Sequence, residues 1–426
     1  MSYTDEQVAL CALNNILGYQ PKLALSLIEE FGNPIDLFDG SLASYDMPTK
    51  ARCSAPAEGV SLAQGHTSPG AAGVCKGAAP PSEAVVPSGA SPFAQLVPAT
   101  LIWARKELAK VEEKGFRFIG LNDEDYPEAL RECEDPPLGL YLNGSSSPTE
   151  IFGLRPMVGI VGTRDISPYG REWCRKIVEA LAAAAVQPCI VSGLAFGADG
   201  IAHRTALDCG LTTVGVMATG IDSIYPWRHT DLAMDIVRTP GCGLVTDYPM
   251  GTAPVALNFL RRNRIIAGLV RGVIVVESKS KGGSLMTARY AVEYSRDVYA
   301  LPGRADDLRS AGCNSLIAHN MAQLITSPEE LVGQLGLGAA VRGAGGSWGK
   351  GARSLERVLE KEFGPESAPY KVGLAVRDHR GATADDLAAI TGLPIAAVLE
   401  GIGLLEVHGI ITTDLLRRCA LSQAYA

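Results

Sequence analysis

The sequence predicts an α/β protein with a doubly wound, mostly parallel sheet, flanked by a small helical module and a C-terminal helical domain. From Met157 onward, short β-branched runs alternate with segments of helix length, as parallel strands joined by crossover helices require. Val273–Val276 is continuously apolar, which is typical of a strand buried on both faces. Ligands of such sheets bind at the carboxyl ends of the strands, so the residues after each strand are the candidate site.

The elements of this region are predicted in order. Ser167 is a good N-cap and Pro168 suits the first position of a helix. A later helix carries the arginines near residue 262, and another begins at Ser284. Residues 121–144 are expected to be an irregular lead-in. Strands are expected at 158–162, 188–193, 212–218, 242–248, 273–277 and 297–303, and helices at 168–184 and 198–208.

Changes in composition divide the chain into five predicted segments. Apolar residues of the first segment recur at helical spacing and break at Gly18 and Pro21, which predicts two or three short helices. A SAM- or helix–hairpin–helix-like fold and a plain packing module both fit, although the usual glycine pair of the hairpin is missing. The segments are a helical module at 1–50, a low-complexity insertion at 51–98, the sheet domain at 99–335, a linker at 336–353 and a winged helix at 354–420.

The C-terminal segment reads as a helix-turn-helix followed by a strand. Thr383 is a good N-cap, and Asp385 and Asp386 lie in the first turn. Residues 351–426 hold eight Lys/Arg and ten Asp/Glu. This balance favours contact with protein over binding of DNA phosphates.

Charge and cysteine usage restrict the function. The 426 residues carry a net charge of −8, so any nucleic-acid site must be a local basic patch. The ten cysteines form no C-x-x-C pair and no cluster with histidine at metal spacing, which predicts reduced thiols and no metal. The N-terminus lacks the features of a signal peptide, and no apolar run approaches the roughly 18 residues of a membrane span. A cytoplasmic protein is expected.

The loop Lys281–Ser284 is the first candidate site. It joins an apolar strand to a helix, and free N–H groups at a helix N-terminus bind anions such as phosphate. Arg164 ends another strand after Gly162 and Thr163, where it either clamps a phosphate or forms a salt bridge at the sheet edge. The pattern is not G-x-G-x-x-G, so no dinucleotide cofactor is expected.

The second candidate is the cluster Arg261, Arg262 and Arg264, with Phe259 before it. No acidic residue follows until Glu277. The interleaved apolar residues and the nearby glycine loop favour a groove that follows a phosphate chain over a solvated helix face. Phe259 suits base stacking, as single-strand binders require, or core packing.

The turn after Ser192 and Gly193 offers a third candidate. Asp199 and His203 lie four residues apart on one helix face, either as an acid–base pair or as a structural hydrogen bond. No serine or cysteine stands in a strained G-x-S-x-G turn beside them, which argues against nucleophilic catalysis.

Seven motifs, in order, resemble the DNA-processing protein A family (DprA, also called Smf). They are VGIVGTR, VSGLAFGADGIAHRTAL, GIDSIYPWRH, NFLRRNRIIAGL, SKGGSLMTARYA, YALPG and GCNSLI, within residues 115–330. The resemblance implies an extended Rossmann-like domain that binds single-stranded DNA as a homodimer. It also implies loading of the RecA recombinase during natural transformation, without catalysis.

The resemblance assigns these residues to the family's DNA pocket: Arg164, Phe259, Arg262, Asn263, Arg264 and the loop 282–287. Many members have a lysine three residues before the phenylalanine, where this chain has Ala256; Arg261 is a candidate replacement. The full set of candidate DNA-binding residues is Gly162, Thr163, Arg164, Ser192, Gly193, Phe259, Arg261, Arg262, Asn263, Arg264, Lys281, Gly282, Gly283, Ser284 and Thr287.

Two alternative functions remain open. The first is an enzyme, a Rossmann-like nucleoside-monophosphate phosphoribohydrolase of the lysine-decarboxylase-like family. Enzymes of that family have a loop that contains glycine, threonine and glutamate. The segment ending at Glu293 is faintly similar, but Met286 stands where that loop has a glycine. The other alternative is a scaffold or regulator that acts through its winged helix alone.

Overall fold

The computed structural model describes residues 3–39, 95–338, 355–365, 367–379, 382–413 and 419–421. Most of the predicted insertion 51–98 and of the predicted linker 336–353 lies outside these ranges. The helices are α1 (Asp5–Leu17), α2 (Pro21–Phe31), α3 (Pro98–Glu113), α4 (Glu128–Arg131), α5 (Pro148–Phe152), α6 (Pro168–Ala182), α7 (Ala198–Asp208), α8 (Thr230–Arg238), α9 (Ala256–Leu269), α10 (Ser284–Glu293), α11 (Ala311–Ala318), α12 (Pro328–Gln334), α13 (Leu355–Phe363), α14 (Ala368–Asp378), α15 (Ala384–Thr391) and α16 (Ile395–Val407).

The strands are short. They are β1 (Arg117–Gly120), β2 (Gly139–Asn143), β3 (Met157–Val161), β4 (Cys189–Ser192), β5 (Thr213–Val216), β6 (Gly243–Thr246), β7 (Gly272–Val275), β8 (Asp297–Ala300), β9 (Gln323–Leu324), β10 (Ile411–Thr413) and β11 (Cys419–Leu421). Strands β3 to β7 are buried along their whole length. Two short 3₁₀ helices span Pro34–Phe38 and Trp227–His229.

The described residues fall into two compact units. The first unit comprises those of Met1–Gly153 and Val214–Leu269, and the second unit those of Leu154–Thr213 and Val270–Ala426. Each unit is formed by two separate stretches of the chain.

In the first unit, the strand order is β1-β2-β6-β5. The β1–β2 and β2–β6 pairs are antiparallel, and the β5–β6 pair is parallel. Helix α1 begins with a capping box between Thr4 and Gln7 and packs against α3 and β1. Its buried side chains, among them Leu10 and Leu13, are fully excluded from solvent.

In the second unit, the strand order is β4-β3-β7-β8-β9, and the pairs are parallel. Helices α6 and α7 pack together over a core that includes Ile160, Ile177 and Ile274. Ser167 caps α6 through the Gly170 N–H, as the sequence predicts. The parallel pairing and the intervening helices confirm the α/β class and the mostly parallel sheet.

The C-terminal residues of the second unit form a small hydrophobic cluster of their own. Helices α13 to α16 and the antiparallel pair β10–β11 surround Leu359, Val376 and Leu405. Thr383 caps α15 in a capping box with Asp386, as predicted. No single described helix is long and apolar enough to cross a membrane, although α15 and α16 together, bent by 113°, pass that test by length and composition.

The predicted elements between 157 and 303 are confirmed, with ends that differ by at most three residues. The predicted break between the N-terminal helices is also confirmed, since α1 ends at Leu17 and α2 begins at Pro21. The irregular lead-in at 121–144 is wrong, because this stretch contains α4 and β2. β2 has antiparallel partners on both sides, and one of them, β6, lies far away in sequence.

Candidate nucleic-acid interface

The turn after β3 is held by three backbone contacts within the second unit. The Thr163 N–H donates to the Glu277 carbonyl at 2.7 Å, and its own carbonyl accepts from the Ala198 N–H at 3.3 Å. Gly197, at φ +78°, lies so close that a Cβ there would stand 2.2 Å from the Thr163 oxygen. These contacts fix the backbone from which exposed Arg164 projects.

Glu277, at the end of the β7 run, is a buried carboxylate that caps α6. It is 1% exposed, and its oxygens accept from the backbone N–H of Ser167 at 2.8 Å and from the Ser167 hydroxyl. A carboxylate at a helix N-terminus satisfies free N–H groups and complements the helix dipole. Sequence reasoning missed this role; the available signal was an acid directly after a fully apolar strand.

The N-terminus of α10 differs from that of α6 because no side chain caps it. Gly283 precedes α10 with no side-chain cap, and it is exposed. The Ser284 hydroxyl donates to the Ser278 hydroxyl at 2.8 Å, and the Gly282 N–H donates to the Lys279 carbonyl at 2.9 Å. The N-terminus of α10 is therefore shaped by its own loop, while the Thr287 side chain one turn later is buried.

A group of cations surrounds these loops, and we call it the basic cluster: Arg164, Lys279 and Lys281, which are exposed, and Arg309, which is half-buried. The Lys279 ammonium lies 3.9 Å and the Arg309 Nε 3.6 Å from an Asp165 carboxylate oxygen. The Lys279–Asp165 ion pair is long and exposed and therefore weak, so a phosphate can compete with Asp165 for Lys279, whereas the Arg309 Nε is buried. Sequence reasoning missed Lys279 and Arg309, since Asp165 reaches them only in the fold.

The candidates after β4 are structural in this arrangement. The Ser192 hydroxyl is fully buried and donates to the Ile160 carbonyl at 2.6 Å, and Gly193 is buried beside it. His203 Nδ1 lies 2.7 Å from the Thr213 hydroxyl, and Asp199 accepts from the Ala195 N–H at 3.3 Å. These contacts favour the structural interpretation of Asp199 and His203 over an acid–base pair.

The thiols next to these loops are poor nucleophiles. Burial raises the pKa of both Cys174 and Cys313 to about 12, so they remain protonated at neutral pH. Among the described residues, no group of three or more His, Cys, Asp or Glu side chains is placed to hold a metal ion. These two thiols therefore supply no thiolate nucleophile to the loops at neutral pH.

In the first unit, α9 carries the predicted arginine cluster, but two of its arginines point inward. Arg262 is 4% exposed and donates to the Val216 carbonyl; Arg264 is 6% exposed. Arg264 pairs with Asp247 at 2.9 Å and also donates to the Asp135 carbonyl. This burial contradicts the prediction that Arg262 and Arg264 line a groove that follows a phosphate chain. Asn263 is also buried and accepts from Arg262 at 3.2 Å.

The electrostatics of this pair are those of a structural contact. Burial raises the pKa of Asp247, and the Arg264 guanidinium opposes that rise. With both side chains about 7% exposed, each charge depends on the other for compensation.

Arg261 and Phe259 lie toward the surface of α9. The Arg261 guanidinium stands 4.0 Å from the ring centroid of Tyr19, a cation–π contact. Phe259 is half-buried, and its ring meets that of Tyr225 edge-on at 5.4 Å. Ala256, where a lysine was expected, is the exposed first residue of α9.

An α/β fold with cations after its strand ends and a helix N-terminus that lacks a side-chain cap defines the class of α/β proteins whose loops suit an anion. The chain belongs to the DNA recombination-mediator protein A family, whose model matches residues 117–336. It is 36% identical over 327 residues to Protein Smf of Synechocystis sp., covering 72% of this chain and 80% of that one.

Two further relatives extend the comparison. The DNA processing protein DprA of Streptococcus pneumoniae is 38% identical over 223 residues, which is 52% of this chain and 76% of that protein. A solved structure of DNA processing protein A from Helicobacter pylori, described for its single-stranded DNA binding mode, is 30% identical. It covers 52% of this chain and 95% of that chain, with a TM-score of 0.46.

Proposed function

We propose that this protein binds single-stranded DNA and, as a homodimer, loads the RecA recombinase onto it during natural transformation. The observation that carries the proposal is the basic cluster around the β3 and β7 loops in a chain of net charge −8. Family membership supports the recombination role. The cluster and the N-terminus of α10 bind backbone phosphates, and Phe259 stacks on a base.

The buried arginines of α9 are assigned a different role within this proposal. Arg262 and Arg264 hold the helix in place, and Arg261 together with the basic cluster makes the contacts with phosphates. The phosphoribohydrolase alternative gains no support, because Glu293 is exposed at the last residue of α10. Over ten residues a helix rises by about 15 Å, which places that carboxylate far from the loop at the other end.

The flanking parts are proposed to act separately. We propose that α1, α2 and the turn at Pro34–Phe38 form the SAM- or helix–hairpin–helix-like module, and that α13 to α16 with β10–β11 form a winged helix. Helix α16, including its N-cap Pro394, contains no lysine or arginine. It therefore lacks side chains for phosphates or guanine edges, and protein contact is its proposed role.

Binding to single-stranded oligonucleotides should weaken steeply as salt rises. Each phosphate neutralised releases counterions and adds about −0.7 to the slope of log K against log salt. Fluorescence anisotropy with a labelled oligonucleotide from low to moderate salt measures the slope, with duplex of the same sequence as the comparison. A flat response, or tighter binding of the duplex, would contradict the proposed function.

Arg164→Ala should weaken single-strand binding about tenfold and make the salt slope shallower by about 0.7. The side chain is exposed, so thermal unfolding should be unchanged. Arg155→Ala is the matched control, because Arg155 is exposed just before β3 whereas Arg164 follows the carboxyl end of the same strand. Equal losses for the two variants would show that only net charge matters.

Deleting the residues after Gly338 should leave single-strand affinity nearly intact. The C-terminal helices have their own hydrophobic cluster, and the core of the remaining second unit is retained up to Leu337. We expect a change of less than tenfold, or about 1.4 kcal/mol, between full-length and shortened protein. A larger loss would show that the proposed winged helix contacts DNA despite its acidic balance.

A further inference from the structure

The loop between β5 and α8 exposes two aromatic rings in the first unit. Tyr225 is 42% and Trp227 is 73% exposed, the latter at the start of the short turn Trp227–His229. Large aromatic side chains gain much free energy from burial. A tryptophan with most of its surface in water is therefore a candidate contact for a ligand. The proposed DNA contacts at the basic cluster and Phe259 do not use either ring.

An arginine directly follows the two rings of this loop. The Arg228 guanidinium lies 5.5 Å from the centroid of the Trp227 ring. Tyr225 meets Phe259 edge-on at 5.4 Å with an interplanar angle of 61°, and it keeps its own exposed surface. The segment from Ile224 to Thr230 contains no acidic residue, and the exposed Asp222 and Asp231 flank it. Its surface chemistry therefore combines flat apolar faces with positive charge.

The loop is held in place by hydrogen bonds on both sides of the rings. The Ser223 N–H donates to the Gly220 carbonyl at 3.0 Å, and the His229 N–H donates to the Pro226 carbonyl at 2.9 Å. The Thr230 hydroxyl donates to the Trp227 carbonyl at 2.6 Å. Because the backbone is already fixed, binding on these rings loses little conformational entropy.

We propose that Tyr225, Trp227 and Arg228 form a stacking platform that extends the single-stranded DNA contact of the first unit beyond Phe259. Bases stack on the two rings, and Arg228 meets a backbone phosphate between them. Stacking of this kind accepts any base, because every base presents a π face, whereas the adjacent positive charge selects a polyanion. The inference rests on the proposed single-strand function and adds the residues that contact the bases.

The decisive experiment compares two oligonucleotides of equal length and charge, one of thymidines and one of abasic residues. Trp227→Ala should bind the thymidine strand about tenfold more weakly and the abasic strand with unchanged affinity. Trp227→Phe should recover most of the loss, because a phenyl ring still stacks. The salt slope of Trp227→Ala should equal that of the parent, since no phosphate contact is removed.

Ile102→Ala is the control, since Ile102 is a 57% exposed apolar residue elsewhere in the first unit. Unchanged binding of thymidine strands by Trp227→Ala, or an equal loss on both strands, would overturn the platform. So would a change in the mass of the free protein with DNA affinity intact, because the ring would then belong to a protein interface. Failure of the parent protein to bind either strand would instead refute the proposed function itself.

Discussion

Arg264→Ala is expected to destabilise the protein by about 3–5 kcal/mol, the usual cost of removing one partner of a buried ion pair. The guanidinium pairs with Asp247 at 2.9 Å, and both side chains are about 7% exposed. Its loss therefore leaves a buried carboxylate without its charged partner. Urea unfolding followed by circular dichroism measures the change in the free energy of unfolding. The loss of DNA binding in this variant would then follow from unfolding.

Two variants separate this explanation from a direct DNA contact. Lys22→Ala removes an exposed ion pair with Glu134 in the same unit, and it should leave the unfolding midpoint unchanged. The double variant Arg264→Met with Asp247→Leu removes both charges and should recover most of the lost stability. If Arg264→Ala unfolds like the parent yet fails to bind DNA, Arg264 contacts the ligand and its burial is not what matters.

Gly197→Ala is expected to cost about 3 kcal/mol or more. Gly197 has φ +78° and ψ −124°, a region that side chains strongly disfavour, and this strain alone costs about 1–3 kcal/mol. Its Cβ would also stand 2.2 Å from the Thr163 carbonyl oxygen, so the turn that carries Arg164 must shift. We therefore expect weaker single-strand binding even at temperatures where the variant remains folded.

Gly210→Ala is the matched control for this substitution. Gly210 follows the same helix, α7, at its other end with φ +74°, but nothing lies within 4 Å of its Cβ position. This variant should lose only about 1–2 kcal/mol from the strained backbone and bind DNA normally. Similar losses of stability in the two variants would show that contact with Thr163 is unimportant. Unfolding and oligonucleotide anisotropy, measured in parallel, decide between these outcomes.

The strands between 157 and 303 and most of the helices were predictable because periodicity and turn residues are local signals, but α8 was not predicted. The burial of Arg264 was not, because its partner Asp247 lies 17 residues away and joins it only through packing. Lys279 and Arg309 likewise converge on Asp165 from separate loops. Sequence reasoning therefore located the loops and the chemistry of the candidate site, while the identity of the exposed cations depended on tertiary structure.

The buried carboxylate of Glu277 has a consequence for which ligands this fold can accept. It occupies the place at the N-terminus of α6 where a nucleotide-binding enzyme of this class would hold a pyrophosphate. Any side chain at Gly170 would meet it, since a Cβ there would lie 2.5 Å from the Glu277 carboxyl carbon. The Glu277 carboxyl oxygens thus take the position at this helix N-terminus that a phosphate would need. A nucleotide that bound there would have to displace the Glu277 side chain. The proposed anion site therefore lies at the exposed start of α10 and not at the start of α6.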